Sequence, residues 1–127
     1  MQTIIQPERI EELAVAITND TRAIAALREQ LAIIEAHHTL DIQSAKDEHG
    51  KPQYTNEDAR RAAHTLRLAD DEHHRRLTLK LRDTEQERAR RDASLERLRR
   101  EFKLYVLDRQ EAITRTSDDL PSGFPYK

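Results

Sequence analysis

The side chains in this sequence best equipped for chemistry are its six histidines. Imidazole is the commonest protein ligand for transition metals, and its charge changes near neutrality. Spacing decides what the rings can do. His37–His38 and His73–His74 are direct neighbours; on a helix such neighbours diverge by about 100°, so neither pair turns two rings toward one ion, and the H-x-x-x-H spacing that would do so does not occur. Glu35 stands three residues before His38, and Asp70 three before His73. That is the carboxylate-x-x-His spacing of di-iron helical bundles, which also draw bridging carboxylates from other helices. Nothing in the chain fixes those further ligands. The expectation is no metal and no cofactor, with the rings in helical pairs such as His37–Asp41 and Asp70–His74 at a polar end of the fold.

Other chemistries have less to work with. Ser44, Ser94, Ser117 and Ser122 lie in expected helix or tail without a nucleophile elbow. The chain has no cysteine, which excludes thiolate catalysis, disulfides and Cys-based zinc sites. With two glycines it has no phosphate-cradling loop. Carboxylates are plentiful, but a general acid or base needs a walled pocket to tune it. The expectation is a protein that is not an enzyme.

The arginines are distributed unevenly. Residues 1–45 carry seven acids and three bases, a local −4; residues 88–103 carry seven bases and three acids, a local +4. Arg90, Arg97, Arg100 and Lys103 would form an outward basic face able to meet phosphates. The same polarity also suits an acidic helix packed beside a basic one. Aromatic groups that stack on bases are nearly absent from the stretch, and the formal net charge of −2 gives no overall field toward nucleic acid or anionic lipid.

The elements that must position these residues are helices. Only 36% of the 127 residues are hydrophobic and another 36% are charged, a balance that suits long, thin, solvent-washed helices rather than a thick core. Pro7 is tolerated in a first helical turn because its missing N–H would be unpaired there, and no Gly or Pro follows until Gly50. Ile10, Ile17, Ile24 and Leu31 recur every seven residues, with Leu13, Leu27 and Ile34 between them, as an a/d seam. Asp20 is its one flaw, and the seam fades after Ile34. A helix over 7–45 is predicted, then a loop over 46–55 with Gly50 at the reversal and a short β-hairpin flanked by Leu40–Ile42 and Gln53–Tyr54 as one form of it. Thr55 or Asn56 would cap a second helix running unbroken over 56–115, with a seam through Ala59, Ala62, Leu66, Ala69, Leu77, Leu81, Leu95, Leu98, Phe102 and Tyr105. Thr84, Arg88 and Arg91 interrupt that seam. Residues 117–127 read as a flexible tail, dispensable for folding, whose Leu120, Phe124 and Tyr126 suit docking to a groove.

The fold class is therefore all-α: a domain over 1–116 forming an antiparallel helical hairpin, or coiled coil, with unequal arms that assembles into a helical bundle. Facing residues in such a pair have position numbers with a constant sum, near 101 or near 108 here. The larger sum sets Ile10 against Leu98, Leu13 against Leu95, Leu27 against Leu81 and Leu31 against Leu77. It also brings the two core flaws, Asp20 and Arg88, together, and a charge buried in a core recovers much of its desolvation cost only when paired. The longer arm leaves Phe102, Leu104, Tyr105, Val106 and Leu107 apolar on nearly every side; with Leu95 and Leu98 they form the expected interface of a homo-oligomer, a dimer being simplest.

The block Asp47-Glu48-His49-Gly50-Lys51-Pro52-Gln53-Tyr54-Thr55-Asn56-Glu57-Asp58-Ala59-Arg60-Arg61, with Leu95-Glu96-Arg97-Leu98-Arg99-Arg100-Glu101-Phe102, resembles small helical-hairpin coiled-coil proteins of bacterial prophages and mobile elements. The likeness spans about two-thirds of the chain, the histidine-rich segments departing from the pattern. It implies proximity to DNA metabolism without a defined activity. Together these readings point to a non-enzymatic interaction or scaffold protein that self-associates and binds a larger protein partner. The alternative is a nucleic-acid-binding accessory factor of a phage or mobile element. The N-terminus has no basic-then-apolar leader and no stretch suits a membrane span, so a cytoplasmic location with no membrane partner is expected.

Overall fold

The computed structural model describes residues 7–118, with side chains placed for 7–116. The fold is all-α: α1 spans Pro7–Ser44, α2 Glu57–Asp70 and α3 Glu72–Asp118, with no strand among the described residues. The expected tail lies outside the described residues except for Ser117 and Asp118, which end α3. No helix among the described residues is long and apolar enough to cross a membrane.

By internal contacts the chain divides into two compact units, one of Met1–Ala16 with Arg90–Lys127 and the other of Ile17–Ala89. In the second unit α1 runs antiparallel to α2 and α3, as its cross-helix pairs show: Asp41 with Arg67 (3.7 Å), His38 with Asp71 (2.7 Å), Glu35 with His74 (3.1 Å) and Arg28 with Glu85 (3.2 Å). The position numbers of the first three pairs add to 108 or 109. The apolar centre is a small cluster of Leu27, Leu31 and Leu77, flanked by Ile34 and Leu81. Ile24, Ile42 and Ala63 are also buried in this unit. In the first unit the buried side chains among the described residues are Leu13 and Leu95. No described side chain is wholly enclosed, as expected of a chain this poor in apolar residues.

The seam on α1 runs further than its composition suggests. It does not fade after Ile34, because His38 is half-buried at the next position and Ile42 is buried beyond it. The loop reverses at Gly50, whose φ of 75° lies in the left-handed region that favours glycine. Asp47 organises the turn by accepting from the backbone N–H groups of His49 and Lys51, both at 2.9 Å. The hairpin flanked by Leu40–Ile42 does not form: those residues continue α1, and pairing reduces to one antiparallel bridge between Lys46 and Pro52. Asn56 rather than Thr55 caps α2, its side chain accepting from Ala59 N–H at 2.7 Å.

Two corrections concern the second helical stretch. The expected single helix over 56–115 is broken at Asp71, whose backbone is extended (φ −83°, ψ 101°). The inward face of α2 also differs: Ala63 is buried with Arg60, His64, Arg67 and Leu68 half-buried, while Ala62, Leu66 and Ala69 face solvent. The reason is phase. Within α2 the packed positions Arg60, Ala63 and Arg67 follow one another in steps of three and four, and the apolar Leu66 stripe lies about 100° off that face.

Asp20 is the one buried charged residue among those described, 8% exposed, and Arg88 in the same unit is half-buried. If the two coincide in the core, Asp20→Ala and Arg88→Ala should each lower stability, and the double variant should cost less than their sum by about 0.5–3 kcal/mol. Denaturant unfolding of the four chains measures this, and strict additivity would reject the pairing.

Candidate functional site

Two regions collect the residues singled out by type and spacing. The first is the junction of α2 and α3, where α1 crosses the break. Local sequence permits the break, since aspartate is among the best helix N-caps. The Oδ1 of Asp71 accepts from the backbone N–H of His74 at 3.0 Å, starting α3, while its backbone N–H returns to the carbonyl of Leu68 at 3.2 Å, closing α2. The other carboxylate oxygen, Oδ2, accepts from Nε2 of His38 on α1 at 2.7 Å. In return Nε2 of His74 donates to Oε1 of Glu35 at 3.1 Å, and Nε2 of His64 on α2 donates to the carbonyl of Glu35 at 3.3 Å.

Of the three carboxylate-x-x-His frames in the chain, the structure uses two, Glu35–His38 and Asp71–His74. Each histidine binds the carboxylate of the other frame. This corrects the expected pairs: Asp70 and His73 are exposed, as is His37, and Asp41 faces Arg67. The sequence signal for the working frame is Asp71 three residues before His74, one step along from Asp70–His73. Among the described residues no group of three or more metal-binding side chains is placed to hold an ion.

The environment lowers the pKa of Asp71 from its ordinary 3.8, first through the backbone N–H of His74 and then through the hydrogen bond from His38, with burial opposing them. A carboxylate whose folded-state pKa is depressed contributes stability above its unfolded value and loses it as pH falls through the folded one. Acid below about pH 3.8 should therefore loosen this junction. Side-chain NMR titration of Asp71 should place its midpoint under that value; a midpoint at or above it would contradict the geometry. Beside the junction, Thr39, Ile42 and Gln43 of α1 and Glu57, Arg60, Arg61, His64 and Thr65 of α2 line a cleft of about 360 Å3. Arg61 is tied to Glu57 (3.2 Å), and Arg60 donates to the Tyr54 carbonyl (3.4 Å).

The second region is the C-terminal half of α3. Leu95 is buried within its own unit and Leu98 half-buried, so they add little surface to an interface. Phe102, Leu104, Tyr105, Val106 and Leu107 are exposed by 39, 56, 48, 36 and 50% respectively. On a helical projection Phe102, Tyr105 and Val106 share one side with the Leu95–Leu98 seam, while Leu104 and Leu107 fall opposite. Arg90, Arg97, Arg100 and Lys103 are all exposed and form no ion pair among the described residues. They fall within one side of α3, and Leu104 and Leu107 continue that stripe.

Comparison of the chain with protein-family models, with curated proteins and with solved structures finds no match to any of them.

Proposed function

We propose that this protein is a non-enzymatic helical interaction protein that self-associates through the C-terminal half of α3. One observation carries the reading: five apolar residues within two helical turns, Phe102 and Leu104–Leu107, stand exposed around the whole circumference of a helix. Large contiguous apolar patches are rare on monomeric surfaces, and a helix that is apolar all round belongs inside a bundle.

A second copy fits as the occupant. Laid antiparallel across a two-fold axis, with Phe102 opposite Tyr105 of the second copy, the seam stacks two aromatic pairs. The second copy also brings the amino-terminal part of its α1, which belongs to the same compact unit as the part of its α3 from Arg90 onward. Two helices rather than one then cover the apolar circumference, as in a four-helix bundle. A scaffold built this way offers a larger protein partner the helix faces that the dimer leaves open. Because the chain has no cysteine, the register can be tested with single thiols. Mixing Phe102→Cys chains with Tyr105→Cys chains should give the mixed disulfide faster than either symmetric one; equal rates for all three would reject this pairing.

The basic side of α3 supports a second reading, contact with nucleic acid, because Arg90, Arg97, Arg100 and Lys103 are exposed and form no ion pair among the described residues. Phosphates would be met without base stacking, so binding should be weak, insensitive to sequence and steeply dependent on salt. A gel shift at low salt that disappears in an Arg90/Arg97/Arg100 triple glutamate variant supports it, and no shift at low salt rejects it. The resemblance to helical-hairpin proteins of prophages and mobile elements is consistent with either reading.

A further inference from the structure

Residues 69–74 read Ala-Asp-Asp-Glu-His-His. They hold neither glycine nor proline, the usual causes of a sharp helix interruption. Local preference alone permits a continuous helix through this stretch. The chain nevertheless leaves the helical region at a single residue, Asp71, and four side chains meet there: Glu35 and His38 from α1, Asp71 at the break and His74 in the first turn of α3. The exchange is reciprocal, the histidine of each carboxylate-x-x-His frame donating to the carboxylate of the other. The arrangement carries a cost as well. Nδ1 of His38 is buried without a hydrogen-bond partner among the described residues, and unsatisfied buried polar atoms are uncommon in native structures.

We propose that the α2–α3 junction is a conditional break, held open by the exchanged pairs His38–Asp71 and His74–Glu35, and that releasing the clamp joins α2 and α3 into one helix. The energetic logic is a competition. A continuous helix would satisfy the amides and carbonyls around Asp71 within the backbone ladder. The broken form replaces those bonds with the Asp71 cap and two histidine–carboxylate bonds from outside. Hydrogen bonds to an ionised group are about twice as strong as neutral ones, which lets two of them outweigh a lost turn of ladder. Removing α1's contribution tips the balance back. The bond from the His74 amide to Asp71 is local to the break, so variants on α1 separate the clamp's contribution from that of the cap.

Amide hydrogen exchange on the full-length protein tests this at Glu72 and His73, whose N–H groups lie in the first turn of α3 and have no carbonyl acceptor in the ladder there, the His73 N–H facing only the Asp71 carboxylate. In the wild type both should exchange rapidly. In His38→Phe, which keeps a ring of similar size but no donor, and in Asp71→Ala, both amides should slow at least about tenfold, with a gain in helical ellipticity. If His38→Phe does not fold, His38→Ala removes the same bond with the best helix former at a partly exposed position. Slowing in the His38 variant establishes the clamp. Unchanged or faster exchange there, even alongside slowing in Asp71→Ala, overturns it and leaves the break as the work of the local cap alone.

Discussion

A chain carrying Phe102→Glu and Leu107→Glu should dissociate at least about 100-fold more readily than the wild type and remain monomeric at micromolar concentration. Hiding one large apolar side chain is worth about 1.5–3 kcal/mol, and each 1.4 kcal/mol is a factor of ten in an equilibrium constant. Introducing charge removes that gain at two positions on opposite sides of the helix. Two-fold symmetry counts every substitution twice. The monomer itself should be unharmed, because both side chains are exposed in the isolated chain and glutamate is a good helix former. Sedimentation velocity reads the association and circular dichroism the fold. A double variant that still associates like the wild type would move the interface elsewhere on the chain.

The second large effect belongs to the thin core of the Ile17–Ala89 unit. Leu31→Ala should destabilise by about 2–3 kcal/mol, the low end of the range for burying a leucine's cavity. The low end is chosen because a cluster of only Leu27, Leu31 and Leu77, with Ile34 and Leu81 at its edge, has room to collapse around the missing methyls. For a chain of this size that corresponds to a fall in melting temperature on the order of 10 °C. Ile33→Ala is the control. Two residues further along the same helix, Ile33 is 52% exposed, and its truncation should change stability by no more than about 0.5 kcal/mol. Equal losses at the two positions would mean that α1 packs by a different face.

Hydrophobic periodicity marks the packed face of α1 and misleads on α2. The a/d pattern of α1 names the buried Leu13, Ile24, Leu27 and Leu31, and even the misfit Asp20, because one face of a long helix has a single way to meet its neighbour. Gly50 is legible because few other residues accept its backbone conformation. On α2 the apolar stripe misleads. Ala62, Leu66 and Ala69 look like core by hydrophobicity, but α2 packs by the face that carries Ala63, His64 and Arg67, whose polar groups are satisfied by the Glu35 carbonyl and by Asp41. The break at Asp71 was hidden for a related reason. Its cap is visible locally as Asp71 before His74, but the partner facing its other oxygen, His38, lies 33 positions away. Tertiary hydrogen bonds of that span leave no periodic trace.

The central claim, that a second copy covers residues 102–107, is tested most directly by the mass of the full-length protein in solution. Multi-angle light scattering between about 1 and 100 µM should give about 30 kDa, twice the 14.9 kDa of one chain, falling toward the single-chain value only on dilution. A constant mass of 14.9 kDa across that range, with the amides of 102–107 nevertheless protected from hydrogen exchange, would contradict the account.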